Sequence, residues 1–336
     1  MNKINFRPMV FSTFQKDNVY KSENILDEVW LRIERLSSPD ILNDDYTTKT
    51  SEEKRQELIK YISTRICQAV EFRNASRKQT LLTKPLSLYY SMLNLLRAYI
   101  AIDQEKISTA SHGLRFKSNK DILKCSAIIN KGTFLDYLNS KSAELPIGTE
   151  YSLKEVLENI IEFKRELLEC KRMQLGYMPV QLSAYKDGEL VATVLEYDGD
   201  LDKIWEKEFP SIKEDARYNN RQFIIKKDDF INEEKLQEYI NNNFLSELSY
   251  LSVNDLCVWY LYKNTKSQSL PRICNYYIAF FILSNIVRYE PESIQEIIYK
   301  KDSVFWMLNK LQYLGERYFP QLLLSDIYKR PIYFST

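Results

Sequence analysis

The chain has 336 residues, of which 44% are hydrophobic and 28% charged, a composition that excludes a disordered or fibrous protein and is long enough for one large or two ordinary domains. Only seven residues are glycine, which disfavours phosphate-cradling glycine loops and turn-dense all-β folds. The net charge is +1, so the molecule as a whole is not strongly cationic.

In chain order, 22–36 reads as a first helix and 37–50 as a polar connection. Thr50 and Glu53 have capping-box spacing. Behind them Leu58, Ile62, Ile66, Ala69 and Phe72 recur at the period of one buried helix face. Pro85 suits the first turn of the next helix. Leu86–Ile102 is apolar nearly all round, as expected of a helix central in a bundle. Its exceptions, Asn94 and Arg97, are three apart and share a face. Residues 103–120 are polar and include His112-Gly113; a helix is expected over 120–130. Ser152 and Glu155 make a second capping box, opening a helix to about Lys171.

The pattern then changes. Val180–Lys186 and Glu189–Tyr197 alternate about Asp187-Gly188, a type I′ hairpin signal, and Arg221–Lys227 fits a third strand. Three strands need a helix to cover their apolar face. Asp198, Asp200 and Asp202 alternate in a way that loosely suggests a calcium loop, but the glycine and closing glutamate are missing, and a polar turn is the simpler reading. Helices are expected near 233–243, 252–263, 271–289, 292–300 and 303–315, punctuated by Pro271, Pro291 and Pro320.

Five cysteines, an odd number without C-x-x-C spacing, argue against a disulfide framework or zinc knuckle and for buried or free thiols in a reducing compartment. The longest apolar run, Tyr276–Leu283, is eight residues, too short to span a bilayer, and Met1–Arg7 has no secretory apolar region. A cytoplasmic location without membrane association is expected, and neither a cofactor nor a metal site.

Charge is unevenly placed. From Arg65 to Lys131 there are twelve Lys/Arg and four Asp/Glu, a local +8, so the rest carries −7. Arg73, Arg77, Lys78, Asn94, Arg115, Lys117 and Lys120 are candidates for binding nucleic acid or a phosphate ligand, with Phe72, Tyr89, Tyr90 and Phe116 available to stack on bases. Solvated helix faces and tyrosines packed in the core explain the same residues. Histidine occurs once, so two-histidine mechanisms and H-E-x-x-H sites are excluded and any imidazole acid–base step runs through His112. A lone histidine before glycine also suits a helix end, and Asn94 with Arg97 also suits an internal polar network.

Leu88-Tyr-Tyr-Ser-Met-Leu-Asn-Leu-Leu-Arg-Ala-Tyr-Ile100 followed by Ser111-His112-Gly113 resembles the HEPN superfamily of helical domains. Ile66-Cys-Gln-Ala-Val-Glu-Phe72, Lys84-Pro-Leu-Ser-Leu-Tyr-Tyr90, His112-Gly-Leu114 and Leu283-Ser-Asn-Ile-Val-Arg-Tyr-Glu-Pro291 resemble more closely the YaaC-like family of uncharacterised bacterial proteins. The pattern of elements is read as a mainly α fold: an N-terminal helical extension (1–49), a helical bundle (50–145) that the resemblance makes HEPN-like, a linking helix with a small antiparallel β-sheet insert (146–232) and a C-terminal helical region (233–336). The resemblance also implies RNA binding within a bacterial defence or stress module, or a metal-independent ribonuclease with Arg97 and His112 as catalytic residues. HEPN nucleases use an Arg-x(4–6)-His motif, whereas Arg97 and His112 stand fifteen residues apart, which puts cleavage in doubt. A third alternative is a non-catalytic subunit of an assembly, its 24 tyrosines serving a protein interface. The partners these readings admit are RNA or a nucleotide, a second protein, or another copy of the chain.

Overall fold

The computed structural model describes residues 19–45, 51–108, 111–143, 145–185, 187–195, 201, 209, 212, 215–246, 259–263, 270–329 and 332–335. The helices, in chain order, are α1 (Ile25–Arg35), α2 (Pro39–Asp45), α3 (Glu52–Ser76), α4 (Lys84–Gln104), α5 (Thr133–Ser140), α6 (Leu153–Glu158), α7 (Lys164–Glu169), α8 (Glu233–Asn243), α9 (Arg272–Tyr289), α10 (Pro291–Lys300) and α11 (Ser303–Ile327). The strands are β1 (Val19–Lys21), β2 (His112–Lys117), β3 (Ser126–Gly132), β4 (Glu150–Ser152), β5 (Tyr177–Ala184), β6 (Glu189–Val194), β7 (Ala216–Asn219), β8 (Gln222–Lys226), β9 (Phe244–Ser246), β10 (Trp259–Tyr262) and β11 (Tyr333–Ser335). The described residues form two compact units, one from within 21–174 and 270–332, the other from within 19–20, 175–263 and 333–335.

In the first unit α4 is the central helix, as its all-round apolar sequence predicts. Leu88, Met92, Leu95, Leu96, Tyr99 and Ile100 are buried, and α3, α5, α9 and α11 pack around them. Burying side chains of this size stabilises by about 2 kcal/mol each. The second all-round apolar helix, α9, packs on α4 and α11.

Helix α11 is longer than its sequence suggests, running through Pro320 rather than ending before it. Proline lacks the N–H that would bond the carbonyl four residues back, that of Glu316. The Trp30 indole Nε1 of α1 donates to that carbonyl instead, at 2.8 Å. The Glu316 carboxylate is buried too, accepting from Arg73 Nε of α3 at 2.9 Å and Lys84 Nζ of α4 at 3.1 Å.

The architecture is mixed α/β, which corrects the expectation of a mainly α, HEPN-like bundle with one small sheet insert. Among the described residues the strands form sheets of two, three and six. The three-stranded sheet has the order β2-β3-β4, and its strands β2 and β3 occupy the stretch expected to be a polar linker and a helix. Ile122, Leu123, Ala127, Ile128 and Ile129 are spaced ambiguously between the two periods. Asp121 ends the choice by capping a single 3-10 turn, Ile122–Lys124, its carboxylate accepting from Leu123 N at 3.2 Å, and Ser126–Gly132 then extends. The helix expected from the Ser152/Glu155 capping box does form, but α6 stops at Glu158 and α7 follows a 3-10 turn in which the Glu162 carboxylate is held by Arg272 and Tyr276 of α9.

The second unit is a six-stranded antiparallel sheet in the order β7-β8-β6-β5-β10-β9. The expected hairpin is β5–β6, in register from Val180↔Val194 to Ala184↔Leu190, and the expected third strand is β8. Leu236 and Ile240 of α8 cover the apolar face, with Phe209, Ile212 and Phe230. The helix expected over 252–263 is corrected in part: Trp259–Tyr262 is a strand pairing with β5, and 251–258 lie outside the described residues. Thr50 and the Asp198, Asp200 and Asp202 turn also lie outside them. Among the described residues no helix is long and apolar enough to cross a membrane.

Replacing Trp30→Phe keeps an aromatic ring but removes the donor to the Glu316 carbonyl. It is expected to cost about 2 kcal/mol in urea unfolding, the penalty for a buried acceptor left without a partner. A loss under about 0.5 kcal/mol would show that the carbonyl has another donor.

Candidate functional site

One edge of α4 is polar. Tyr90, Asn94 and Arg97 stand at spacings of four and three, so they line one face. Asn94 is buried and satisfied: its Nδ2 donates to the Tyr90 carbonyl at 2.9 Å, and its Oδ1 accepts from Arg65 NH1 of α3 at 3.2 Å. Arg65 also donates to Gln68 Oε1 at 3.0 Å, and its guanidinium lies 4.9 Å from the Tyr61 ring. Phe72 stacks on Tyr90 at 5.3 Å.

His112 is brought to this edge by the β2–β3 pair. It sits opposite Gly132, and the register shifts between His112 and Leu114, a bulge of the kind that re-aims a side chain. Two glycines make the bulge. Gly113 has φ +85°, and a Cβ on Gly132 would stand 2.4 Å from the Ser111 carbonyl oxygen and 2.6 Å from Gly113 N, so only glycine lets the backbones approach. The bulge turns the Leu114 N–H back onto its neighbour: it donates to His112 Nδ1 at 3.3 Å. The ring is half-buried and lies 5.1 Å from Phe281 of α9.

Burial holds the His112 pKa below its ordinary value, and Arg288 of α9 and Arg97 of α4 push it the same way. Arg97 also acts on the phenols of Tyr89 and Tyr277, which burial pushes well up. Exposed Arg288 donates to the Tyr90 hydroxyl at 2.9 Å and lies over the rings of Tyr90 (5.6 Å) and Tyr289 (5.5 Å). The site therefore sets two guanidiniums within electrostatic reach of one half-buried imidazole, with aromatic rings alongside.

The structure brings together Arg97, His112 and Asn94 among the sequence candidates. Arg73 is elsewhere: it is buried, about 12 Å along α3 from Arg65, with its guanidinium on Glu316 and Asp27. Arg77 pairs with Asp27, and Lys117 with Glu150 across the sheet. Lys78, Arg115 and Lys120 are exposed. The basic stretch is thus divided, part of it neutralised within the fold. Arg65 and Arg288, which complete the site, were not singled out from sequence as binding residues. Arg288 is far from His112 along the chain, and no spacing rule links them. Among the described residues no cluster of His, Cys, Asp or Glu is suited to holding a metal ion.

The family profile described as YaaC-like Protein matches residues 18–327. No curated protein and no solved structure matches the chain. The match does not extend to the HEPN resemblance.

The depressed pKa fixes the sign of a pH effect. Unfolded, His112 takes up a proton near pH ~6.5, and folded only at lower pH. Its contribution to stability is therefore complete above the unfolded value and is lost as pH falls through the folded one. His112→Gln is expected to flatten the acid decline of urea-unfolding stability between pH 7.5 and 5; an unchanged decline would assign it to other groups.

Proposed function

The chain belongs to the YaaC-like family, and from the geometry around its single histidine we propose that it binds a phosphate-bearing ligand, RNA or a nucleotide, at the edge of α4. The observation that carries this reading is that Arg288 seats on Tyr90, on the face of α4 that bears Arg97, and that both positive charges act on the half-buried His112 ring. Like charges held together at a half-buried position repel, and an anion between them relieves that repulsion. Guanidiniums suit the oxygens of a phosphate, with two donors in one plane. The exposed Tyr289 ring beside Arg288 supplies a face on which a base can stack, which favours a nucleotide over inorganic phosphate. RNA as the ligand would be in keeping with a defence or stress setting.

A second reading is a metal-independent ribonuclease. What favours it is that Arg97 acts electrostatically on His112 although the two are fifteen residues apart. Arg97 would stabilise phosphorane charge and His112 would move a proton.

The test is binding of a short single-stranded RNA, with inorganic phosphate as control, across a salt series. Three phosphate contacts by Arg65, Arg97 and Arg288 predict a slope of log K against log salt of about −2. Arg97→Gln and Arg288→Gln should each weaken binding about tenfold. RNA shortened by the wild-type chain but not by His112→Ala would favour the ribonuclease instead. No affinity, or affinity indifferent to salt, would overturn the binding proposal.

A further inference from the structure

We infer that His112 meets the ligand as a neutral hydrogen-bond donor, its Nε2–H given to a phosphate oxygen while Arg97 and Arg288 carry the positive charge. This rests on the anion-binding reading above and specifies how the imidazole takes part in it.

The geometry begins at Nδ1. That nitrogen accepts the Leu114 N–H at 3.3 Å, so its lone pair is in use and it carries no proton. In a neutral imidazole the one proton then stands on Nε2. The backbone enforces this arrangement. The Leu114 N–H reaches the ring only through the bulge at Gly113, and the bulge survives only because Gly132 has no Cβ.

Charging the ring would put a second proton on Nδ1, pointing at the Leu114 N–H. The surroundings oppose it as well. From α4 comes the Arg97 guanidinium, from α9 the Arg288 guanidinium and the apolar Phe281 ring, and from β3 the uncharged Gly132. Burial of the ring and these two cations all disfavour imidazolium.

Two consequences follow for the chemistry of the site. A ring with its proton on Nε2 has no free lone pair there, so it cannot take a proton from a ribose 2′-hydroxyl; the same contact that suits a donor argues against a general base. Recognition is also independent of pH wherever the ligand's own charge is constant. A phosphodiester meets that condition, whereas a phosphate monoester changes charge near pH ~6.

The experiment uses the full chain and a short single-stranded RNA. Because histidine occurs once, its ring 15N signals need no assignment. The expected result is protonated Nε2 with unprotonated Nδ1, in free and RNA-bound protein, and RNA affinity unchanged between pH 8 and 6.5. His112→Gln, which keeps an N–H donor near the Nε2 position, should retain affinity within about threefold, and His112→Ala should lose about tenfold. RNA that binds to a ring protonated on Nδ1, or to imidazolium, would overturn the donor role and leave the binding reading standing. Absence of RNA binding with the tautomer as expected would overturn both. Equal losses in the Gln and Ala variants would also overturn the donor role.

Discussion

The helical unit depends on one residue whose backbone and side chain are both satisfied from other helices. Pro320 takes away the donor due to the Glu316 carbonyl, and Trp30 of α1 replaces it. The Glu316 carboxylate at the same point holds Arg73 of α3 and Lys84 at the start of α4. The Arg73 guanidinium in turn lies 5.4 Å from the Trp30 ring and bonds Asp27. Four helices are thus tied to one another by groups that are costly to leave unpaired in a buried place, so the network specifies which helices meet more than it adds to net stability. It also shows why a proline can sit inside a long helix: the rule against it concerns an unmade hydrogen bond, and here the bond is made from outside.

That network and the candidate site use basic residues from the same stretch of chain in opposite ways. Arg73 is spent internally, against carboxylates. Arg65 and Arg97 stand on the other part of the α3–α4 pair, where Asn94 bridges the helices without supplying charge. The difference is one of partners rather than residue type. Where a carboxylate meets an arginine the fold is closed electrostatically, whereas Arg97 and Arg288 both act on the His112 ring and disfavour its charging.

The position of His112 is a backbone matter. Gly113 and Gly132 let two strands approach more closely than any side chain permits, and the resulting bulge sets the direction of the ring and the nitrogen it presents. A local dipeptide, His-Gly, is visible in the sequence, but its counterpart at Gly132 is twenty residues away and acquires meaning only when the strands pair.

The sequence by itself determined the elements whose periods are long and uniform: the all-round apolar helices α4 and α9, the amphipathic α3, the Ser152/Glu155 cap and the hairpin about Asp187-Gly188. These are local, since period and cap are written within a few residues. It also restricted histidine chemistry to one position. The strands of 112–132 and 259–262 were not legible, because short apolar runs have no period long enough to separate strand from helix, and pairing with a distant strand decides between them. Nor was the composition of the site. A surplus of eight positive charges along the chain says nothing of which are cancelled in space, and only the tertiary structure sent Arg73 to Glu316 and brought Arg288 to His112. Charge acts through distance, and distance is what folding sets.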